Sequence, residues 1–198
     1  MMKKDSQNLV QQMVPRVVTW YQENQRSLPW RQDKNPYTIW ISEIMLQQTR
    51  IEAVKGYYAR FLQEIPDVRT LAEIPEERLL KLWEGLGYYN RAKNLQKAAQ
   101  IMVKNYQEEM PKTYAELIQL PGIGEYTAGA IASIAYDEPV PAVDGNVMRV
   151  ITRLLDWKID ILEPKTKKEI QAILQPQMPK EAGDFNEGIM ELGEVVCL

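Results

Sequence analysis

The spacing of apolar residues is the feature of this sequence that most limits its fold. Apolar side chains recur every three or four residues in segment after segment, and almost no segment alternates with period two. Turn signals such as Asn35-Pro36, Pro66 and Gly85 separate these segments. The pattern predicts an all-α protein without internal repeats or coiled-coil heptads. The predicted helices cover about residues 8–24, 37–48, 54–65, 75–84, 92–105, 126–135, 147–155, 166–174 and 181–196. Thr113 can cap a further short helix that leads to Leu120.

The size of the chain allows one large domain or two small lobes. Its 198 residues are 45% hydrophobic, which is enough to form a substantial core. No apolar run approaches the length of a membrane span, and the N-terminal sequence MMKKDSQNL lacks the apolar core of a signal peptide. We therefore expect a cytoplasmic protein without a membrane partner.

The overall charge argues weakly against a nucleic-acid partner. The net charge is -3 and the pI is about 5.3, whereas dedicated DNA-binding proteins usually carry a basic excess. Only the face that meets phosphate has to be positive, so local distribution can override the total. The candidates for such a face are Arg26, Arg31, Lys34, Arg50, Lys55, Arg91 and Lys93.

Histidine is absent, and the only cysteine is the penultimate residue, Cys197. These two facts exclude catalytic histidine dyads, histidine-bound zinc and an intramolecular disulfide. A single thiol also cannot form a thiolate metal site by itself. Any chemistry must therefore rest on carboxylates, amides, tyrosines and the backbone.

The stretch LPGIGEYTAGAIASIAYDEPVPAVDGN, residues 120–146, combines a tight turn, a helix of small residues and a proline-punctuated connector. Gly122 and Gly124 would allow backbone amides to approach a ligand closely, because neither residue has a Cβ atom. The N-terminus of the following helix would favour a phosphate at this turn. A glycine turn between two packed helices is the alternative interpretation of the same pattern.

Two acids deserve separate consideration. Glu43 lies among apolar neighbours in WISEIMLQQT, which indicates a largely buried helix in which an unpaired carboxylate is costly. It is either paired or solvated, or it is a carboxylic acid with a raised pKa that can donate a proton. Asp144 precedes Gly-Asn and a helix, so it is either a helix cap or a second functional acid.

Two motifs carry a resemblance to a known family. The sequence from LPGIG to VDGNV resembles the helix-hairpin-helix and Gly/Pro-Asp element of base-excision DNA glycosylases, and WISEIMLQQT resembles the MutY-type adenine-specific mismatch glycosylases. The resemblance extends from Leu28 to the last residue. It implies a two-lobed helical fold with the active site in the cleft between the lobes. Residues 29–135 would form a helical barrel lobe that contains the hairpin, and residues 1–28 and 136–198 a truncated iron–sulfur lobe.

The resemblance also implies roles for individual side chains. Glu43 corresponds to the proton-donating acid, and Asp144 to an ionised carboxylate that stabilises positive charge on the sugar or forms a transient covalent bond. Asn146 would add a polar contact. Tyr126 stands where related enzymes that also cut the strand carry a lysine, and a tyrosine cannot form an imine. We therefore expect a monofunctional enzyme.

The same resemblance implies contacts with DNA. A base inside a duplex must be rotated out, and a wedge side chain commonly fills the gap. Gln48 and Tyr88 match the wedge positions, although a buried core aromatic is an alternative for Tyr88. Gly122 and Gly124 would contact the DNA backbone. The pocket for the flipped adenine would be lined by Arg26, Trp30, Arg31, Leu46 and Glu187.

The sequence ELGEVVC, residues 191–197, matches the start of the family's iron–sulfur motif, with Cys197 as the first cluster ligand. A [4Fe-4S] cluster needs about four cysteine ligands, and this chain offers one. The family has a cluster, but we expect none that is intact in these 198 residues.

The resemblance thus implies a monomeric adenine DNA glycosylase that acts on adenine opposite 8-oxoguanine or guanine in double-stranded DNA. A related glycosylase for mismatched thymine or an oxidised pyrimidine is one alternative. Glu43 argues against both of these pyrimidine activities, because an acid at this position is suited to protonating a nitrogen of a purine base. A DNA-binding fragment without turnover is the alternative from another functional class.

Overall fold

The structure is a computed structural model that describes residues 2–161 and 163–198, with side chains from Asp5 onward. Within these residues every regular secondary-structure element is a helix, which confirms the predicted all-α class. The α-helices are α1 (Met2–Asn24), α2 (Pro36–Leu46), α3 (Ile51–Glu64), α4 (Val68–Glu73), α5 (Glu76–Trp83), α6 (Asn90–Asn105), α7 (Tyr114–Leu117), α8 (Glu125–Tyr136), α9 (Gly145–Leu154), α10 (Pro164–Leu174) and α11 (Ala182–Val195). Short 3-10 helices cover Pro29–Arg31 and Gln175–Gln177.

Most helix boundaries agree with the sequence pattern to within a few residues. The clearest difference is α1, which begins at Met2 instead of residue 8. The sequence analysis also missed α4, which has only six residues and is therefore too short to show a helical period. Its start is nonetheless capped, since Asp67 accepts a hydrogen bond of 2.7 Å from the backbone N–H of Thr70. Thr113 caps α7 as predicted.

The described chain divides into two compact units. The terminal unit comprises Met1–Arg26 and Ala132–Leu198, and the central unit comprises Ser27–Ile131. Helix α8 begins in the central unit and ends in the terminal unit.

The terminal unit is built on α1, α9, α10 and α11, whose apolar faces share one core. Gly188 of α11 allows close contact with α1, because a Cβ atom there would lie 2.8 Å from Cβ of Tyr21 and 3.0 Å from Cγ1 of Val17. The fully or nearly fully buried members of this core include Val10, Val14, Val17, Val147, Ile151, Ile170, Phe185 and Ile189.

The central unit has an aromatic core. Phe61 and Trp83 meet edge to face with ring centroids 6.0 Å apart, a geometry that aromatic pairs favour. Tyr37 of α2 donates a hydrogen bond of 2.8 Å to the carbonyl of Ile65, and burial raises the pKa of this phenol. Buried side chains from α2 to α6 complete this core: Trp40, Ile41, Met45, Leu71, Leu79, Leu95 and Met102.

A membrane crossing would need a long, strongly apolar helix, and none occurs in the described part of the chain.

Candidate active site

Asp144 is the N-cap of α9 in the terminal unit. Its Oδ1 atom accepts a hydrogen bond of 2.8 Å from the backbone N–H of Val147, and its Oδ2 atom accepts one of 2.9 Å from Nδ2 of Asn146. Burial raises the pKa of Asp144, while these two hydrogen bonds and the positive charge of Arg149 act in the opposite direction. Burial outweighs them. The half-buried carboxylate also retains lone pairs that could accept a further contact.

Arg149 fixes the orientation of the Asn146 amide. Its Nη2 atom donates to Oδ1 of Asn146 at 2.8 Å and to the carbonyl of Gly193 at 2.6 Å, and its Nε atom donates to the carbonyl of Cys197 at 2.8 Å. A guanidinium has no acceptor, so the oxygen of the amide must face Arg149 and its nitrogen must face Asp144. The C-terminal end of α11 is thereby linked to Asp144 through two side chains.

Asn186 organises the connector that leads to Asp144, and the sequence analysis missed it. This side chain is 1% exposed, accepts a hydrogen bond of 3.0 Å from the N–H of Ala142, and donates to the carbonyl of Val140 at 2.9 Å and to Oγ of Ser133 at 2.8 Å. An amide between the apolar residues of α11 is the signal that could have revealed it, because a buried amide needs partners.

Arg26 and Glu187, both predicted to line the adenine pocket, lie in the terminal unit. Arg26 donates from Nε and Nη2 to the two carboxylate oxygens of Glu191 at 2.6 and 2.7 Å, and it also pairs with Glu194. Its hydrogen bonds to Glu191, which is 1% exposed, raise the pKa of the guanidinium. Glu187 is half-buried on α11, about one turn before Glu191.

Glu43 lies on α2 in the central unit, and its exposed fraction is only 8%. The helix is buried from Ile39 to Met45, which confirms the burial that the apolar neighbours predicted. Burial is the setting in which a carboxyl group can hold a proton for donation. The catalytic role of Glu43 remains a prediction.

Gln48 and Tyr88 share an uncommon backbone conformation. Both residues have a positive φ, 57° for Gln48 and 46° for Tyr88, which is a strained region for residues other than glycine. Gln48 is exposed, and 64% of Tyr88 is exposed, so the buried-aromatic alternative for Tyr88 is wrong. This conformation can occur at functional positions, and other exposed residues of the described chain also adopt it, among them Gln107, Asp137 and Asp156.

The two glycines of the LPGIG turn differ in backbone conformation and in the space that is available for a side chain. Gly122 has a φ of 78°, and a Cβ atom there would lie 2.7 Å from Cβ of Asn94. Gly124 has neither a positive φ nor a neighbour within 4 Å of such an atom. Because packing and backbone conformation leave this position open, the exposed backbone at Gly124 is accessible to a ligand. Tyr126 follows in the first turn of α8 and is half-buried.

The other predicted pocket residues lie around the start and the end of α2. Trp30 is 6% exposed in the short 3-10 helix and meets Tyr58 edge to face, with ring centroids 5.5 Å apart. Arg31 follows it and is half-buried, as is Leu46, the last residue of α2.

Several candidates for a phosphate-facing surface have partners within the protein. Arg26 pairs with Glu191, as described above. Lys55 pairs with Glu52 at 2.7 Å, and Lys93 pairs with Glu76 at 2.8 Å. The guanidinium of Arg91 faces backbone carbonyls within the central unit. A basic residue counts toward a DNA-binding face only where its charge is available, and sequence alone does not show these pairings.

Cys197 cannot by itself supply an iron–sulfur site. A [4Fe-4S] cluster requires about four cysteine thiolates, and this chain contains one cysteine. The residues present therefore do not fit an iron–sulfur cluster. Within residues 2–161 and 163–198, His, Cys, Asp and Glu side chains form no group of three or more that could hold a metal ion. The Sγ atom of Cys197 instead lies 3.2 Å from Nη1 of Arg153.

Comparison with known proteins adds a family and several relatives. Residues 41–178 match the model of the HhH-GPD superfamily base excision DNA repair proteins. An adenine DNA glycosylase of Buchnera aphidicola (subspecies Acyrthosiphon pisum) is 41% identical over 184 residues, which are 92% of this chain and 53% of that protein. The human adenine DNA glycosylase is 40% identical over 191 residues, 91% of this chain and 35% of that protein. The chain thus spans about half, or less, of these curated relatives.

Solved structures support the same fold. A thermostable thymine-DNA glycosylase has a TM-score of 0.85 at 26% identity, with 96% of this chain and 88% of that chain covered. An endonuclease III in a non-covalent DNA complex has a TM-score of 0.80 at 23% identity, with coverage of 97% and 87%. The second likeness concerns the fold alone.

Proposed function

Because the chain belongs to the HhH-GPD superfamily of base excision DNA repair proteins, we propose that it is an adenine DNA glycosylase. It hydrolyses the N-glycosidic bond of adenine opposite 8-oxoguanine or guanine in double-stranded DNA. The observation that carries the proposal is the 41% identity, over 92% of the chain, to a protein named adenine DNA glycosylase.

Two carboxyl groups divide the chemistry in this proposal. Glu43 is the general acid, which protonates a ring nitrogen of adenine and makes the base a better leaving group. Its low exposure supports the role, because burial allows an acid to keep a proton until the substrate takes it. Asp144, ionised, stabilises the oxocarbenium-like charge that develops on the sugar or bonds to it transiently until water attacks. Asn146 supports Asp144 through the hydrogen bond of 2.9 Å.

The reaction ends at an abasic site with an intact strand. A lyase step through an imine needs an amine nucleophile, and Tyr126 offers a phenol. Its place in the first turn of α8, next to the exposed Gly124, supports a contact with the DNA near the reacting sugar.

DNA binding in this proposal rests on shape and on a few exposed groups. Gly122 and Gly124 bring backbone to the phosphates at the start of α8, where the helix dipole favours negative charge. Gln48 and Tyr88 enter the base stack as wedges, a role that their exposure and positive φ values support. We assign contacts with the flipped adenine to Trp30, Arg31 and Leu46 of the central unit and to Arg26 and Glu187 of the terminal unit. The chain acts as a monomer, and no step depends on an iron–sulfur cluster.

A single-turnover assay tests this function. The purified chain is incubated in excess over duplexes that contain A:8-oxoguanine, A:G, a T:G mismatch or an oxidised pyrimidine, and base release is followed for each. We expect release of adenine and no release of either pyrimidine. Release of thymine would favour the activity named for the thermostable structural relative. Duplex binding without release of any base would favour a binding fragment.

A further inference from the structure

Two loops of the central unit carry Gln48 and Tyr88, the exposed residues with a positive φ that the proposed function assigns to the wedge. The Gln48 loop, residues 47–50, follows α2, and the Tyr88 loop, residues 84–89, follows α5. The loops are almost forty residues apart in sequence, and each presents one side chain to solvent at a positive φ. A side chain that contacts both loops would restrain them relative to each other.

Arg91 has such a side chain. Its Nη1 atom donates to the carbonyls of Ile44, Met45 and Gln47 at 2.8, 3.0 and 2.6 Å. These carbonyls belong to the last turn of α2 and the first residue of the Gln48 loop, so the guanidinium also caps the helix that carries Glu43.

The other terminal nitrogen of Arg91 serves both loops. Nη2 donates to the carbonyls of Leu86 and Gly87 at 3.0 and 3.4 Å and to Oγ1 of Thr49 at 3.3 Å. The same guanidinium lies 5.6 Å from the ring centroid of Tyr88, within the range of a cation–π contact. One planar group thus touches the two loops and one of the two exposed side chains.

The environment of Arg91 differs from that of an ordinary surface arginine. Among the described residues it has no carboxylate partner, and burial lowers the pKa of its guanidinium. Its Nε–H is buried without a partner on the protein, and so is the indole N–H of Trp40. Both residues line one small cavity of about 60 Å³, together with Gln47 and Gly122. Burying this charge has a desolvation cost, which the hydrogen bonds from its two terminal nitrogens to backbone carbonyls offset.

We propose that Arg91 is a positioning residue for the wedge. It holds the Gln48 loop and the Tyr88 loop in one fixed relation, so that both side chains enter the base stack together when the target base is extruded. The proposal rests on the proposed function, since it takes Gln48 and Tyr88 as the wedge.

Lysine cannot replace Arg91 in this role. A guanidinium presents two terminal nitrogens in a rigid plane, and here each serves a different set of acceptors. A lysine ammonium is a single point that can reach one set only. The variant Arg91→Lys therefore keeps the charge and removes the bridge. Arg78→Lys is the matched control, because Arg78 is an exposed arginine of the same unit that pairs with Glu64 at 2.5 Å.

The first experiment measures amide hydrogen exchange in the protein without DNA. In Arg91→Lys we expect residues 47–50 and 84–89 to exchange faster together, by about tenfold or more, with the rest of the central unit unchanged. Thr49→Val, which removes one contact to one loop, gives a smaller change in that loop and keeps the test valid should Arg91→Lys not fold. Parental exchange in both loops of Arg91→Lys would refute the proposal whether or not the chain is catalytically active.

The second experiment is a double-mutant cycle on base release. Arg91→Lys is introduced into the parental chain and into the Gln48→Ala/Tyr88→Ala background, and single-turnover rates are compared. We expect a loss of about tenfold or more in the parent and less than about twofold without the wedge. The residual loss reports the contacts of Arg91 with the end of α2. Equal losses in both backgrounds would show a general structural role and contradict the proposal. A parental chain that releases no adenine counts against the proposed function, and the exchange experiment then decides the role of Arg91.

Discussion

The Nη2 atom of Arg149 lies 2.8 Å from Oδ1 of Asn146, and this contact determines which end of the amide meets Asp144. With its oxygen held by the guanidinium, Asn146 can only donate to Asp144. Burial raises the pKa of Asp144, and this donated hydrogen bond limits the rise. Asn146 and Arg149 thus oppose the rise in the pKa of Asp144 that burial causes.

The pH dependence of base release should therefore respond to Arg149. In Arg149→Met the amide of Asn146 is free to turn and the nearby positive charge is lost, so the pKa of Asp144 rises further. An acid that must be ionised is active above its pKa and loses activity as the pH falls through that value. We expect the acid limb of the single-turnover rate profile to move to higher pH in Arg149→Met.

Arg153→Met is the control for this shift. Arg153 lies one turn further along α9 and donates to the carbonyl of Leu198 at 2.7 Å, without a contact to Asn146. Its removal should leave the acid limb in place. A profile for Arg149→Met that superimposes on that of the control would contradict the role assigned to Arg149.

The variant Asp144→Asn should separate structure from chemistry. Asparagine is as good an N-cap as aspartate, so the hydrogen bond from Val147 is kept. The amide NH2 group of the new side chain would then face Nδ2 of Asn146, which is also a donor. The lost hydrogen bond lowers the stability of the fold by about 1 kcal/mol. The raised pKa of Asp144 means that its negative charge destabilises the folded state. Removing the charge therefore stabilises the fold and offsets the cost of the two facing donors. We expect a melting temperature within about 4 °C of the parental value and no base release. Substantial release by a folded Asp144→Asn would exclude the proposed role.

Glu43→Gln should abolish base release and spare DNA binding. Glutamine has nearly the same shape and size but no acidic proton, so only general acid catalysis is removed. Duplex affinity is expected to stay within about tenfold of the parental value, or about 1.4 kcal/mol. Binding titrations and single-turnover rates on the same A:8-oxoguanine duplex measure the two effects. A variant that releases adenine at close to the parental rate would show that Glu43 is not the acid.

The sequence predicted what depends on local pattern. Helical spacing predicted most helices, the apolar neighbours of Glu43 predicted its burial, and Thr113 was identified as a cap. These features depend on residues within one or two turns of each other. Helix α4 was missed because its six residues give the pattern too little length.

The partners of Arg91 and Asn186 could not be predicted from local pattern. The carbonyls that Arg91 binds on α2 and the Gln48 loop lie more than forty residues away in sequence, and the same holds for the groups that Asn186 contacts. An arginine that faces solvent and one that binds backbone carbonyls look alike in a single sequence, so Arg91 was a candidate for a phosphate-facing surface. Side chains that organise loops across long sequence separations become visible only in three dimensions.

Gly193 should be sensitive to the addition of one methyl group. A Cβ atom at this position would lie 2.6 Å from Cβ of Asn146 and 3.1 Å from its Cα atom, and both belong to the segment that positions Asp144. Gly193→Ala must therefore displace Asn146 or the end of α11. We expect a loss of base release of about tenfold or more, since a shift of about 1 Å in a catalytic group can reduce a rate a hundredfold.

Gly124→Ala is the steric control for Gly193→Ala. A Cβ atom at Gly124 meets no protein atom within 4 Å, so the protein itself should be undisturbed. If Gly124 contacts the DNA backbone as proposed, Gly124→Ala weakens duplex binding. Gly193→Ala instead lowers the rate of base release from duplex that is already bound. Parental rates for Gly193→Ala at saturating protein would show that the position of Asn146 does not matter.

The product of the reaction should be an abasic site in an uncut strand, because Tyr126 has no amine. An imine forms only from an amine and an aldehyde, and borohydride reduction traps it as a stable protein–DNA adduct. We expect no adduct above background for the parental chain or for Tyr126→Phe, which keeps the ring and removes the hydroxyl. Tyr126→Lys places an amine in the first turn of α8 and is expected to give a borohydride-dependent adduct. Adduct formation by the parental chain would mean that another amine reaches the sugar, and the monofunctional assignment would then be wrong.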